Sequence, residues 1–497
     1  MEPGLGGLPR KAVPSFKRER ERLILVSNRE PFEHHRGPKG EITVTRPAGG
    51  LTSALQPIME SSGGAWVAWG SGSADFDVVD EHNRVRVPPE KPTYDLIRIP
   101  LNEREVNSYY VESANRALWP LCHLQFQHFA FDYEHWQVYR QVNHRFAHAV
   151  VAAAGGRPAT VWVQDYHLAY VPGLLRRSPN LFVHQFWHIP FPPADVLSAL
   201  PVARRLLRGM IGNDLLVFQV PRYAINFLSC VAEFLPDADV DVEAGLIRYG
   251  RHRTKVTARA ISIDVDAFEK LSRSRAVGEA ADEIRRQHAP RGDLILGVDR
   301  IDYSKGIPSR FNAFSRLLED QPQLRGKVTL VQIAVPSRLA IDSYRQLERS
   351  VIALAASINQ KYRTKTWQPV VLIRDNLDAR TLAGYYRAAD ICMVSSLQDG
   401  MNLVAKEFIA CQVDGDGALL LSRFAGAAEE MDGAILINPY DVGAVARSLS
   451  AALEMSPRER RVRIAAMRQY LHRNTIYDWM EEIFADVARL RTRRRSA

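Results

Sequence analysis

The sequence predicts an α/β protein with two doubly wound, Rossmann-like domains that face each other across a cleft. Its 497 residues exceed what a single hydrophobic core usually supports. Short apolar segments alternate with longer amphipathic segments from about residue 22 to about residue 450, which is typical of βα units. This alternation pauses between residues 261 and 291, so one α/β series is expected on either side of the pause. Folds of this kind bind ligands at the carboxyl ends of their strands.

The predicted buried strands are nearly continuous apolar segments, as in parallel sheets. Examples are residues 23–26, 160–163, 215–218, 294–298, 370–373 and 419–421. We therefore divide the chain into a basic flexible tail (1–22), an N-terminal Rossmann-like domain (23–262), a C-terminal Rossmann-like domain (263–457), C-terminal helices that could return to the first domain (458–490) and a basic tail (491–497).

The formal charge of +9 is concentrated at the two ends of the chain. Residues 1–22 contain six Lys or Arg against three Glu, and residues 489–495 contain five Arg and no acid. The body between them is close to neutral and lacks the arrayed Arg and aromatic residues of a nucleic-acid groove. We read the basic ends as solvated termini and expect no nucleic-acid partner.

Cysteine usage and hydropathy indicate a cytoplasmic protein. The four cysteines are scattered without a CxxC spacing, which argues against a disulfide scaffold or a zinc knuckle. No signal-peptide core and no run of eighteen apolar residues occurs, so neither secretion nor membrane insertion is expected.

Several catalytic motifs are absent. The sequence has no Walker GxxxxGK[ST], HExxH or GxSxG motif, and the stretch at Gly70-Ser71-Gly72-Ser73-Ala74-Asp75 fails the GxGxxG pattern at its last glycine. P-loop ATP hydrolysis, zinc proteolysis and simple dehydrogenation therefore lose most of their support.

Polar clusters follow the predicted strands of the first domain. Arg29 comes directly after the first strand, where a guanidinium can pair with phosphate, although it could also cap the strand end. Gly49 and Gly50 precede a helix and could bring their amides close to an anion, or form a plain turn. Asp165 and His188 follow neighbouring strands and could share one hydroxyl-bearing ligand, although a lone His is more often structural.

Two further clusters follow strands of the second domain. Arg300 and Lys305 could converge on a diphosphate, or could pair with the nearby aspartates at the surface. The segment from Asp399 to Glu407 opens a helix whose amides suit phosphate, and Glu407 could accept hydrogen bonds from ribose hydroxyls. A capped helix with an ordinary Glu is the alternative.

Together these clusters resemble the trehalose-6-phosphate synthase family of retaining glycosyltransferases, over about nine-tenths of the chain. The most specific segments are residues 188–192, 300–306, 399–407 and 422–428. The resemblance implies the GT-B fold, in which two Rossmann-like domains enclose an inter-domain cleft.

The resemblance also implies roles for individual residues. It assigns acceptor binding to Arg29, Tyr110, Trp119, Asp165 and Arg338, and donor binding to Gly49, Gly50, Arg300, Lys305, Asp399, Leu403, Val404, Ala405, Lys406 and Glu407. It assigns catalytic roles to His188, Asp165, Arg300 and Lys305. The implied reaction moves glucose from a nucleotide-glucose, UDP-glucose being favoured, to glucose-6-phosphate, with the leaving diphosphate helping to deprotonate the acceptor hydroxyl. No metal and no further cofactor is implied. A separate phosphatase acting on the product is expected downstream. Whether the protein forms a homo-oligomer is left undecided.

Two other functions stay open at this point. Residues 220–223 resemble the glucosylglycerol-phosphate synthases, which use glycerol-3-phosphate as acceptor, and Gln164 stands where many relatives have His. A non-catalytic module that senses sugar phosphates or scaffolds a partner is the alternative from another class. Such proteins usually lose the equivalents of Arg300, Lys305 or Glu407, and this chain retains all three.

Overall fold

The computed structural model describes residues 22–46 and 50–496. Its strands are β1 (Arg22–Ser27), β2 (Glu33–Arg36), β3 (Ile42–Thr45), β4 (Ala65–Trp69), β5 (Arg84–Val87), β6 (Tyr94–Ile99), β7 (Ala159–Gln164), β8 (Leu181–Trp187), β9 (Leu215–Phe218), β10 (Asp239–Asp241), β11 (Leu246–Tyr249), β12 (His252–Ala258), β13 (Asp293–Arg300), β14 (Val328–Val335), β15 (Val370–Ile373), β16 (Ile391–Val394), β17 (Ala418–Ser422) and β18 (Ile435–Ile437). Each segment given above as an example of a buried strand lies within one of these strands.

The helices cover both sheets. They are α1 (Gly50–Ser62), α2 (Glu103–Val106), α3 (Trp119–Cys122), α4 (Tyr133–Ala154), α5 (Val171–Leu175), α6 (Ala194–Leu197), α7 (Ala203–Met210), α8 (Pro221–Phe234), α9 (Val265–Ser272), α10 (Arg275–His288), α11 (Ile307–Asp320), α12 (Asp342–Tyr362), α13 (Ala379–Ala388), α14 (Leu403–Cys411), α15 (Val442–Glu454), α16 (Pro457–Arg473) and α17 (Ile476–Ser496). A π-helical segment, Asn107–Leu118, joins α2 to α3.

The first sheet has ten strands in the order β10-β11-β12-β9-β8-β7-β1-β4-β6-β5. Its seven central strands are parallel, and β5, β10 and β11 add antiparallel edges. The chain runs outward from β1 through β4 to β6, and then returns to β7 on the other side of β1. The strand order therefore reverses between β1 and β7, which is where doubly wound sheets open a crevice for ligands.

The second sheet has six parallel strands in the order β15-β14-β13-β16-β17-β18. Here the strand order reverses between β13 and β16. The residues of β13, β14 and β16 are almost entirely buried, as expected for a parallel sheet covered by helices on both faces. The strands of the first sheet end at Ala258 and those of the second begin at Asp293, while the domain boundary at residue 262 stays a prediction.

The last helix, α17, packs on the first sheet. The ring of Trp479 lies 4.9 Å from that of Phe186 and 5.6 Å from that of Trp162. The preceding α16 instead packs on the second domain, where Arg460 donates a hydrogen bond to the Ala452 carbonyl. No helix in the described part of the chain is long and apolar enough to cross a membrane.

The predicted basic tail at residues 491–497 requires a correction. Helix α17 continues to Ser496, and Arg491 is buried with a hydrogen bond to Thr160. Arg494 pairs with Asp214 at 3.1 Å and donates to the Leu181 carbonyl at 2.9 Å. The sequence pattern missed this because the carboxylate and carbonyl partners of these arginines are distant in the chain. The predicted tail at residues 1–22 lies outside the described residues, except for Arg22 in β1.

Candidate active site

The polar groups predicted from sequence gather at the two points where strand order reverses. Arg29 follows β1, and Asp165 follows β7. In the second sheet, Arg300 ends β13, and Asp399 lies beyond β16. Arg300 and Arg338 of the second domain both lie over the ring of Trp119 in the first, so the carboxyl ends of the two sheets border one crevice.

Lys305 and Asp399 form a partly buried ion pair in the second domain. The Nζ of Lys305 lies 2.6 Å from Oδ2 of Asp399, and Asn402 donates to the same oxygen at 3.1 Å. Burial opposes ionisation of Asp399, but the charge of Lys305 and these hydrogen bonds outweigh it, so its pKa lies below its usual value. The pair thus places a fixed ammonium and a fixed carboxylate at the end of the second sheet.

Arg300 leaves β13 in the opposite direction from Asp299. Asp299 points into the domain, where it pairs with Arg310 at 2.5 Å. The guanidinium of Arg300 is exposed and, within the described residues, has neither an ion pair nor a hydrogen bond. It lies 5.8 Å from the ring centroid of Trp119 in the first domain. The alternative of surface pairing with the nearby aspartates therefore does not apply to Arg300, which remains available to an anion.

Arg338 follows β14 of the second sheet and reaches the first domain. Its guanidinium lies 3.9 Å from the ring centroid of Trp119, a cation–π contact. The same guanidinium donates to the hydroxyls of Tyr344 at 2.6 Å and Tyr166 at 3.4 Å. Tyr166 and Trp119 belong to the first domain, so Arg338 joins the two domains across the crevice.

The buried carboxylate of Asp302 fixes the positions of Arg338 and Trp119. The carboxylate is fully buried and accepts hydrogen bonds from Arg338, from the Tyr344 hydroxyl at 3.1 Å and from the Trp119 indole at 3.4 Å. Burial opposes its ionisation, but Arg338 and Arg300 hold the pKa of Asp302 at about 2. The carboxylate is therefore charged at neutral pH and fixes both Arg338 and Trp119.

The π-helical segment contains Tyr110, and Trp119 directly follows its last residue. Tyr110 stacks on His167 with ring centroids 5.7 Å apart. Burial opposes ionisation of Tyr110, yet the charges of Arg338 and Arg29 outweigh it and lower its pKa. Arg29 itself is exposed. Two guanidiniums from different domains therefore act on one phenol.

Asp165 and His188 meet at the ends of β7 and β8. Asp165 has φ +66° and ψ −179°, a strained conformation for a residue with a side chain. Its carboxylate accepts the His188 amide hydrogen at 3.1 Å, and burial raises its pKa to about 7. Burial lowers the pKa of His188 to about 3, and its Nε2 contacts Gln164 at 2.8 Å. The imidazole is therefore neutral and can orient a ligand, but it does not supply positive charge.

Helix α14 begins beside Asp399. The Asn402 side chain, which supports Asp399, also accepts the Ala405 amide hydrogen and so caps the helix. The first turn contains Leu403, Val404 and Ala405.

Two residues of the second turn have different surroundings. Glu407 accepts a hydrogen bond from the Tyr386 hydroxyl at 2.7 Å, and burial raises its pKa. The Lys406 side chain is fully buried, where it bonds to the Ile261 carbonyl at 2.7 Å and to Glu430 at 2.6 Å. Of the Lys406 groups, only its main chain remains available for the predicted donor contact.

The two domains touch at Gly400. A Cβ atom on Gly400 would lie 2.1 Å from the His188 carbonyl oxygen, so only glycine allows this approach. Tyr223 of the first domain donates to the Asp399 carbonyl at 3.0 Å, and Arg222 pairs with Glu429. Residues 222 and 223, which suggested an alternative acceptor, are thus engaged in contacts between the domains.

Several residues of the crevice did not emerge as candidates from the sequence. Asp302 lies within the segment 300–306, and Tyr166 directly follows Asp165, so their position beside a candidate was the available signal. Tyr344 and Tyr386 lie in helices without any local signal. Gly49 falls outside the described residues, and Gly50 is the first residue of α1. Among the described residues, no group of three or more His, Cys, Asp or Glu side chains is placed to hold a metal ion.

Comparison with known proteins identifies the family. The model of glycosyltransferase family 20 matches residues 21–489. This chain belongs to glycosyltransferase family 20. Among curated members, the trehalose-6-phosphate synthase of Mycolicibacterium gilvum is 36% identical over 95% of this chain and 94% of its own length. The bifunctional trehalose-6-phosphate synthase/phosphatase of Thermoproteus tenax is also 36% identical, and the match covers 92% of this chain and 62% of that protein.

Similar solved structures establish the fold. A Burkholderia xenovorans alpha,alpha-trehalose-phosphate synthase (UDP-forming), in complex with glucose-6-phosphate, matches with a TM-score of 0.83 and 31% identity over 94% of this chain and 100% of its own. An E. coli structure bound with UDP-2-fluoro glucose matches with a TM-score of 0.84 and 31% identity over 94% of this chain and 99% of its own. The fold is GT-B, which confirms the predicted fold class and the predicted family.

Proposed function

We propose that this family 20 glycosyltransferase transfers glucose from UDP-glucose to glucose-6-phosphate, with retention of the anomeric configuration, to give trehalose-6-phosphate and UDP. The main support is the position of Arg300 of the second domain, whose guanidinium lies 5.8 Å from the ring centroid of Trp119 in the first domain. A donor diphosphate at the end of β13 and an acceptor against Trp119 would then share one crevice. The complexes of similar enzymes with UDP-2-fluoro glucose and with glucose-6-phosphate support this pairing.

The charges of the crevice support separate binding sites for the donor and the acceptor. Arg300 and Lys305 neutralise the diphosphate as it leaves, and Asp399 binds glucose hydroxyls while it fixes Lys305. The α14 main chain and Glu407 take the distal phosphate and the ribose. Arg29, Tyr110 and Arg338 hold the acceptor phosphate, and Trp119 covers the acceptor ring.

The proposed chemical step needs no protein nucleophile. The bond between the glucose C1 and the diphosphate oxygen breaks while the acceptor hydroxyl forms a new bond to C1 from the same face. The hydroxyl proton passes to an oxygen of the departing diphosphate. Asp165 and neutral His188 orient the acceptor hydroxyl and the transferred sugar, so the protein contributes positioning and charge stabilisation. The proposal requires the two substrates and no further cofactor.

A substrate matrix tests the proposal. Purified protein is incubated with UDP-, GDP- or ADP-glucose and with glucose-6-phosphate or glycerol-3-phosphate, and the products are read by mass and by the NMR coupling of the anomeric proton. We expect UDP release and an α,α-linked disaccharide phosphate only when glucose-6-phosphate is present. A preference for glycerol-3-phosphate would overturn the acceptor assignment. Acceptor binding without turnover for any pair would instead favour a sensor or scaffold.

The remaining parts of the proposal concern the surroundings of the enzyme. A phosphatase that removes the product's phosphate is needed to release the free disaccharide. The fused phosphatase named for the T. tenax relative supports that coupling, and this chain spans 62% of that protein. A cytoplasmic location and a homo-oligomeric state stay predictions.

A further inference from the structure

A groove on the outer surface of the first domain contains unpaired positive charge. It lies between α4 and α7, and consists of two adjoining cavities of about 260 and 300 Å³. Both are lined by Arg140, His144 and Arg205, and one of them also by Tyr170 and Arg208. We call this set of five residues the cationic groove.

The charged side chains of the cationic groove lack counter-ions. Within the described residues, the side chains of Arg140, Arg205 and Arg208 make neither an ion pair nor a hydrogen bond, and no carboxylate lines either cavity. Their neighbours differ in this respect. Arg204 lies 4.0 Å from Asp237, and Arg145 lies 2.7 Å from Glu105. Arg205 and Arg208 are three residues apart on α7, and like charges at this spacing repel each other. An anion bound in the groove would reduce this repulsion.

The arginines of the groove come from two helices and line the same cavities. Burial raises the pKa of the Tyr170 hydroxyl, while the charges of Arg140 and Arg205 act in the opposite direction. Both guanidiniums therefore lie close enough to influence the same oxygen. Tyr133, which is 58% exposed, and Gln137 also line the larger cavity. Guanidiniums with an aromatic rim suit a phosphate group attached to a small organic body.

Helix α4 connects this groove with the acceptor pocket. On its buried side, Tyr139 donates to the Tyr166 carbonyl at 2.6 Å, and Asn143 donates to the His167 carbonyl at 3.1 Å. Asn143 also accepts the Tyr170 amide hydrogen at 3.0 Å. The segment that follows Asp165 is therefore fastened to the helix that supplies one wall of the groove.

We propose that the cationic groove binds a small phosphorylated metabolite at a second site, and that this binding strengthens the binding of the acceptor. An anion held between α4 and α7 would restrain α4 and Tyr170 before the acceptor arrives. The acceptor then has less ordering to impose, which lowers its KM, and by linkage the acceptor tightens the binding of the anion. The binding part is independent of the proposed function, whereas the effect on KM rests on it.

Calorimetry with inorganic pyrophosphate tests the binding part. The full-length protein is titrated with pyrophosphate alone, because UDP and glucose-6-phosphate carry phosphates that would themselves compete for the groove, and any binding in the crevice is common to the proteins compared. Compared with wild type, the Arg140→Gln/Arg205→Gln variant should bind pyrophosphate at least tenfold more weakly. Arg204→Gln is the matched control, because it removes a neighbouring guanidinium that already has a partner, and it should bind like wild type. Equal affinities in all three proteins, or an equal loss in the control, overturn the site.

Steady-state kinetics test the coupling. The KM for glucose-6-phosphate is measured with and without pyrophosphate, and the ratio is compared between proteins so that competition in the crevice cancels. For each protein, the KM with pyrophosphate is divided by the KM without it. This quotient should be at least threefold lower for wild type and for Arg204→Gln than for the double variant. An unchanged or raised KM overturns the coupling. If no substrate pair is turned over, the proposed function fails, and calorimetry still decides whether the groove is a site.

Discussion

The guanidinium of Arg338 lies 3.9 Å from the ring centroid of Trp119, and both groups are held by the buried carboxylate of Asp302. A residue of the second domain thus rests on a residue of the first, at the position proposed for the acceptor phosphate. The proposed acceptor pocket is therefore complete only when the domains are together.

Arg338→Ala should raise the KM for glucose-6-phosphate. Loss of a hydrogen bond to a charged group costs about 1.5 to 3 kcal/mol, which corresponds to roughly ten- to a hundredfold. The KM for UDP-glucose should change much less. Initial rates with each substrate varied in turn measure both constants. Arg345→Ala, which removes an exposed arginine paired with Asp342, is the control. An unchanged KM for glucose-6-phosphate would place the phosphate elsewhere.

Gly400→Ala should reduce activity by moving the domains apart. The new Cβ would meet the His188 carbonyl at 2.1 Å, and main-chain overlap of this kind costs about 1 to 3 kcal/mol to relieve. We expect kcat/KM to fall by about 5- to 150-fold for both substrates. Gly443→Ala is a suitable control, because its Cβ would have its nearest neighbour at 3.5 Å. Wild-type kinetics for Gly400→Ala would contradict the close approach.

Asp165 should make the stability of the protein depend on pH. Its pKa of about 7 in the folded state exceeds the ordinary value of about 4, so between these pH values the folded state binds more protons than the unfolded state. The contribution of Asp165 to the free energy of unfolding therefore falls as pH rises from about 4 to about 7. Asp165→Asn should gain stability relative to wild type at pH 8 and not at pH 4, as measured by urea denaturation. An equal difference at both pH values would argue against the raised pKa.

The same carboxylate should govern activity near neutral pH. If ionised Asp165 accepts a hydrogen bond from the acceptor hydroxyl, kcat/KM for glucose-6-phosphate rises as pH increases through about 7. The Asp165→Asn variant should be slow and should lack this rise. A pH profile from 5 to 9 measures the effect, and a variant that keeps the wild-type profile would remove Asp165 from the assignment.

Glu407→Gln should affect the donor side alone. The variant keeps the size of the side chain but loses the charge that the ribose hydroxyls and Tyr386 would hydrogen-bond. We expect a KM for UDP-glucose raised by about tenfold, in keeping with about 1.5 kcal/mol for a hydrogen bond to a charged group, and little change for glucose-6-phosphate. Tyr386→Phe separates the two partners of Glu407, because it removes only the internal one. A shift in the acceptor KM instead would contradict the division of the crevice.

The sequence predicted the crevice because parallel sheets place functional side chains at the carboxyl ends of their strands. Arg29, Asp165, Arg300 and Asp399 each follow an apolar segment, and the reversal of strand order brings these segment ends together. The fold class could be predicted for the same reason, since alternating apolar and amphipathic segments leave few other topologies.

The partners within the crevice could not be predicted in this way. Arg338 and Tyr166 are 172 positions apart, and no local pattern reports a contact of that range. Lys406 shows a second limit. Adjacent helical residues point in different directions, so Lys406 is buried while its neighbour Glu407 is partly exposed. A motif gives the residues of a helix turn but does not state which side chain faces the ligand.

The packing of α17 on the first sheet has a consequence for the order of events during synthesis. Trp162 and Phe186 emerge from the ribosome about three hundred residues before Trp479, the side chain that covers them. Until α17 is made, this apolar face of the nascent first domain stays open to water and to chaperones.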